Sequence, residues 1–153
     1  MVRRWYDGQV DVRRELVGPP ERVVLALHDE RRHPGADQLL EPRLLGSAAR
    51  TATALGAAGC LALAFPLHPP GRPEKSRLEE LVGAGVPTLV VQGENDAFGR
   101  PDEFPADLDL TVVPAADHGF ATGKRSGVSE DDAMAVVVEA TLEWIVREVT
   151  GNA

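Results

Sequence analysis

Cysteine is almost missing from this sequence. Cys60 stands alone among 153 residues, so neither an internal disulfide nor a cysteine metal cage can form, which suits a reducing cytoplasm. Positive charge is also scarce: 16 Lys plus Arg face 24 Asp plus Glu, a formal charge of −8. Such a surface does not gather phosphates, and nucleic acid is set aside as a partner. Long apolar runs are lacking too. The longest weakly polar stretch, residues 55–67, is too short to span a bilayer, and Met1-Val2-Arg3-Arg4 leads into no apolar signal core. The expectation is a cytoplasmic protein without membrane contact. What is plentiful is Gly and Pro, 15 and 12 residues without a repeat period, which implies many turns between short elements and excludes collagen and low-complexity disorder. The length suits one domain over 1–153 with a modest core of its own.

Along the chain, residues 1–21 mix both signs of charge and break at Gly18-Pro19-Pro20, which reads as a poorly ordered or edge segment. The short apolar run at 22–27 has the character of a strand covered on both faces, 59–65 reads as a second buried strand, and 87–92 and 108–113 as further apolar strands. The Ala- and Leu-rich stretch 44–55 predicts a helix that Gly56 ends, and Ser76 to Val82 predicts a shorter one. Ser129 caps a final helix whose Met134, Val137, Val138, Leu142, Ile145, Val146 and Val149 recur at helical spacing. This alternation predicts an α/β fold, a three-layer sandwich with a mostly parallel sheet. Chemistry in such sheets lies beyond the carboxyl ends of the strands.

Two turns at such ends draw notice. Gly93-Glu94-Asn95-Asp96-Ala97-Phe98-Gly99 follows one strand and Ala115-Ala116-Asp117-His118-Gly119-Phe120 follows the next. If the strands are neighbours, Asp96 and His118 meet at one edge, where the carboxylate would fix the imidazole tautomer and leave the second ring nitrogen free to take a proton. The plainer alternative is that Asp96 caps a turn while Asp117 and His118 decorate a surface loop.

The run from Leu61 through Pro66-Leu67-His68-Pro69-Pro70-Gly71-Arg72-Pro73-Glu74-Lys75, then Val86 to Gly99, then Asp117-His118-Gly119-Phe120 with Lys124-Arg125-Ser126-Gly127 resembles the carboxyl-terminal half of α/β-hydrolases of the dienelactone-hydrolase-like branch. The similarity covers roughly residues 56–149, with three separated motifs in order. It implies a shortened α/β-hydrolase-like fold in which Asp96 is the triad acid and His118 the triad base. These enzymes carry a Ser in a Gly-x-Ser-x-Gly elbow, and no such motif occurs here. Ser47, in Gly46-Ser47-Ala48-Ala49-Arg50-Thr51-Ala52, is the candidate nucleophile because it lies upstream of the acid at the start of a helix that leads into the next strand, which keeps the triad order Ser, Asp, His. Aligning 49–52 on the family's run after the elbow puts the nucleophile on Gly46, one residue away, with Ala48 at the second glycine's place. The first half reads as shortened or replaced.

The remaining candidates are plainer. His28, Asp29 and His33 lack a helical i, i+4 pair and read as a solvated loop, so no metal and no cofactor is expected. His68 reads as a structural residue or a pocket-mouth residue, Cys60 as a small buried apolar one, and Lys124-Arg125 as exposed charge. Two functions are therefore expected in competition. One is an esterase-like serine hydrolase using Ser47, Asp96 and His118 on a small-molecule ester-like substrate. The other is a truncated or degenerate relative acting as a binding or self-associating module, a homodimer through an exposed sheet edge.

Overall fold

The computed structural model describes residues 13–16, 23–28, 52 and 56–150. A five-stranded sheet runs in sequence order through β1 (Arg13–Leu16), β2 (Val23–His28), β3 (Ala57–Leu63), β4 (Thr88–Gly93) and β5 (Asp109–Val113). The last four strands are parallel, and β1 joins β2 antiparallel. The apolar runs of the sequence predict four strands; the fifth, β1, lies in the charged segment expected to be poorly ordered or edge. It pairs Arg13 with Ala26 through Leu16 with Val23 and so takes up the free side of β2. The expected strand 22–27 is shifted by one residue, since His28 pairs with Leu63 as its last member.

The steps from β3 to β4 and from β4 to β5 each move one strand in the same direction, so right-handed crossovers place these two connecting segments on one face. The helix α1 (Leu78–Val82) lies between β3 and β4. Leu81 from this helix packs with Phe65, Leu67 and Phe104 against Ala62 and Val90 of the sheet. The alternate strand residues, Leu61, Leu89, Val91 and Val113, point the other way. The closing helix α2 (Glu130–Trp144) covers them, giving the three layers. Ser129 starts α2 by accepting the Asp132 amide at 3.0 Å, satisfying one of the otherwise orphaned first-turn donors.

The orientation of α2 corrects the expectation. Its buried positions are Ala133, Val137 and Trp144, whereas Met134, Val138, Leu142 and Val146 are 48%, 49%, 58% and 47% exposed. Ala133 and Val137 face the sheet together with the large Trp144, which finds room over a bare glycine. Trp144 rests on β3 at Gly59, where an added Cβ would lie 2.5 Å from the indole. A π-helical run, Ile145–Thr150, follows. Ile145 packs partly on the core, and the side chain of Val149 lies outside the described residues. The predicted helix 44–55 lies outside them as well, except for the buried Ala52.

Two truncations on α2 test this orientation by urea denaturation. Trp144→Ala is expected to cost about 3–5 kcal/mol, and Leu142→Ala less than about 1 kcal/mol. A larger loss at Leu142 than at Trp144 would place the helix the other way round, and equal losses would contradict the one-sided burial.

Candidate functional site

The carboxyl ends of β4 and β5 stand side by side, Gly93 paired with Val113. The turns that follow are tied together by backbone and side chain. Glu94 N–H donates to Val113 O at 3.0 Å and Asn95 N–H to Ala116 O at 2.8 Å, while the Glu94 carboxylate accepts the Ala115 amide at 2.7 Å. Only glycine fits at 93, because a Cβ there would lie 2.5 Å from Asp117 O and 2.6 Å from Ala116 O.

This junction brings Asp96 and His118 together. Asp96 Oδ2 lies 2.8 Å from His118 Nδ1, and the carboxylate is fully buried. Such a charge is tolerable inside a protein only when donors surround it. Three do. Besides the imidazole, Phe98 N–H donates to Oδ1 at 2.8 Å and Gln92 Nε2 to Oδ2 at 2.7 Å. Because an ionised carboxylate can only accept, Nδ1 carries the hydrogen, and in the neutral ring Nε2 holds the lone pair. That Nε2 atom is buried and has no hydrogen-bond partner among the described residues.

His118 is itself presented by a tight loop. Asp117 Oδ1 accepts the amides of Gly119 and Ala121 at 2.8 and 3.0 Å, and Phe120 adopts a left-handed conformation with φ of 58°. This is a costly geometry for an aromatic residue, sustained because the surroundings over-determine it. Asp117, which the plainer of the two sequence readings makes a loop decoration, organises this loop. The Phe98 ring meets the imidazole with centroids 4.4 Å apart.

Gln92 is the residue that sequence reasoning missed. Fully buried at the end of β4, its amide nitrogen reaches Phe65 O at 3.2 Å and Gly99 O at 2.9 Å as well as Asp96. One side chain thereby joins the turns after β3 and β4 to the carboxylate. Its signal in the sequence was a polar residue closing the apolar run Val90-Val91.

The other candidates fall elsewhere. Ser47, Asp29 and His33 lie outside the described residues, and His28 ends β2. Cys60 is buried in β3, and burial pushes its thiol up to about 11, leaving no thiolate near neutrality. Lys124 and Arg125 are exposed. Among the described residues no group of three or more His, Cys, Asp or Glu is placed to hold a metal, and no helix is long and apolar enough to cross a membrane.

Replacing Gln92 tests how much the buried carboxylate depends on it. Gln92→Leu is expected to lower stability by about 1–3 kcal/mol through a lost donor. Gln92→Glu should lower it further, because two carboxylates would then face each other in the core. Urea unfolding at pH 7 reads both, and a Gln92→Glu variant as stable as the wild type would contradict the arrangement.

Comparison with known proteins adds the family. The alpha/beta hydrolase domain family matches residues 43–146, more than half of the chain. Among solved structures the chain is similar to the esterase domain of a Rhodothermus marinus protein, with 12% identity over 68% of this chain and 58% of that one and a TM-score of 0.40. It thus spans less than two thirds of that domain. No curated protein matches. With four parallel strands, helices on both faces and residues 43–146 inside the family's match, this chain belongs to the α/β-hydrolases.

Proposed function

We propose that the protein is a serine-hydrolase-type enzyme of the dienelactone-hydrolase-like branch that cleaves small-molecule esters. Asp96 orients His118, His118 is the general base, and Ser47 is the nucleophile. The observation that supports this reading is the 2.8 Å contact between Asp96 Oδ2 and His118 Nδ1, which fixes the tautomer and leaves Nε2 unpartnered.

The chemistry follows from that tautomer. Nε2 takes the proton of the serine hydroxyl as its oxygen attacks the ester carbonyl. The imidazolium formed in this step sits against a buried carboxylate, whose charge is undiluted by water and so stabilises the developing positive charge. Collapse of the tetrahedral intermediate releases the alkoxide, to which Nε2–H returns the proton. Water then enters and loses a proton to Nε2 as its oxygen attacks the acyl carbonyl; the C–Oγ bond breaks, Nε2–H returns the proton to the serine oxygen, and the acid is freed. Asp96 remains ionised throughout, as an orienter rather than a proton carrier.

A second reading is favoured by one specific feature, the lack of any Gly-x-Ser-x-Gly in the sequence. In it the chain is a non-catalytic relative that keeps Asp96 and His118 as structural residues and works by binding a partner.

A fluorophosphonate probe together with short p-nitrophenyl esters separates the two. The enzyme reading expects labelling and turnover, with labelling lost and turnover cut to a small residual rate in His118→Ala and in Ser47→Ala. Asp96→Asn should lower kcat by about three to four powers of ten through the wrong imidazole tautomer. Absence of labelling and of His118-dependent turnover would leave the non-catalytic reading standing. Labelling that survives Ser47→Ala would move the nucleophile elsewhere.

A further inference from the structure

A second histidine has a geometry that a neutral imidazole does not satisfy. His68, in the loop after β3, is 6% exposed. Its Nδ1 lies 3.0 Å from Pro69 O and its Nε2 lies 2.7 Å from Glu103 Oε2. Both partners are acceptors. A neutral ring has one N–H and one lone pair, so one of the two contacts would set a lone pair against an oxygen. The imidazolium donates to both.

Electrostatics point the same way. Burial is the largest single influence on His68 and opposes its charge. It is outweighed by the hydrogen bonds to Glu103 and Pro69 and by the negative charges of Glu103 and Glu74, which together hold His68 above its ordinary 6.5. Glu103 is held below its ordinary 4.5, first by the Arg100 amide and then by His68, with the Arg100 charge adding to them against burial. Glu103 Oε1 accepts that amide at 2.7 Å, leaving Oε2 for the ring.

The pair sits on the segment that shapes the Asp96–His118 site. His68 N–H donates to Phe98 O at 2.8 Å. Phe98 in turn donates its own N–H to Asp96 Oδ1 and lays its ring on His118. Glu103 anchors the far end of the same segment through Arg100. Close packing leaves little slack between them, since a Cβ on Gly99 would lie 2.6 Å from Leu67 Cβ.

We propose that the His68–Glu103 ion pair is a proton-operated clamp on residues 98–103, and that His68 is a positioning residue acting on Asp96 and His118 through Phe98. Its consequence for catalysis rests on the hydrolase reading above; the clamp itself does not. The contribution of His68 is complete below 6.5 and is lost as pH rises through its raised value in the folded protein. Glu103 contributes above 4.5 and loses that contribution as pH falls through its lowered value. Both contributions are therefore complete between 4.5 and 6.5, and the clamp opens as pH rises through the raised value of His68 or falls through the lowered value of Glu103.

Nitrogen-15 NMR of the imidazole rings in the full chain, titrated from acid to alkaline pH, tests this directly. His68 is expected to carry both protons at about pH 6 and to titrate above the ordinary histidine value. The Phe98 amide and the His118 Nδ1 proton should shift with the same midpoint. In Glu103→Gln that midpoint falls, and the alkaline limb of kcat/KM for ester hydrolysis moves to lower pH by the same interval. A merely structural pair would lower activity at every pH without moving the limb. A neutral single tautomer of His68 near pH 6, or Phe98 and His118 signals indifferent to its titration, would overturn the proposal. If Glu103→Gln does not fold, the wild-type titration decides alone. If no ester is turned over, the resonances still report the clamp, so the two readings fail separately.

Discussion

A carboxylate with no exposed surface organises this molecule. Removing the Asp96 charge from water is expensive unless hydrogen bonds replace the lost hydration, and the three groups that do so come from different places: the end of β4 through Gln92, the turn backbone through Phe98 N–H, and the loop after β5 through His118. Each donor fixes the element that bears it. The bare backbone at Gly93 lets the two turns approach closely enough for the bond to His118 to form. The same donors that make the buried charge tolerable hold an imidazole in one tautomer, so stability and chemical readiness have a common origin.

The sheet supplies the frame for that contact economically. Four parallel strands stepping in one direction leave their carboxyl ends in a row, and the turns after β3, β4 and β5 converge there without a long loop. Gln92 and the His68–Glu103 pair tie the turn after β3 to the one after β4, and Glu94 ties the turn after β4 to the one after β5. The outer strand beside β2 is short and charged, Arg13-Arg14-Glu15-Leu16, features that blunt edge-to-edge pairing.

Much of the frame was readable from the amino acids, and the parts that were not share a physical cause. Strands β3, β4 and β5 announce themselves as apolar runs ended by Pro or Gly, and α2 by its Ser129 cap and acidic first turn. Asp96 and His118 could be paired in thought because neighbouring strand ends in a parallel sheet bring their following turns together. What escaped depends on distant partners. β1 has no apolar run and exists through its pairing with β2. The buried face of α2 is that of Ala133, Val137 and Trp144, fitted to the strands beneath it by Gly59, and periodicity cannot distinguish that stripe from the Met134–Val138–Leu142 stripe beside it. Glu103 lies 35 residues from His68, beyond the reach of any local pattern.

The central claim is that Asp96 and His118 act as one unit, and a double-mutant cycle on ester hydrolysis tests it most directly. Residues that work through each other lose little more together than apart. The result expected is that Asp96→Asn combined with His118→Ala turns over ester no more slowly than His118→Ala alone. Losses that multiply independently would contradict it, since the carboxylate would then be contributing through something other than the imidazole it touches.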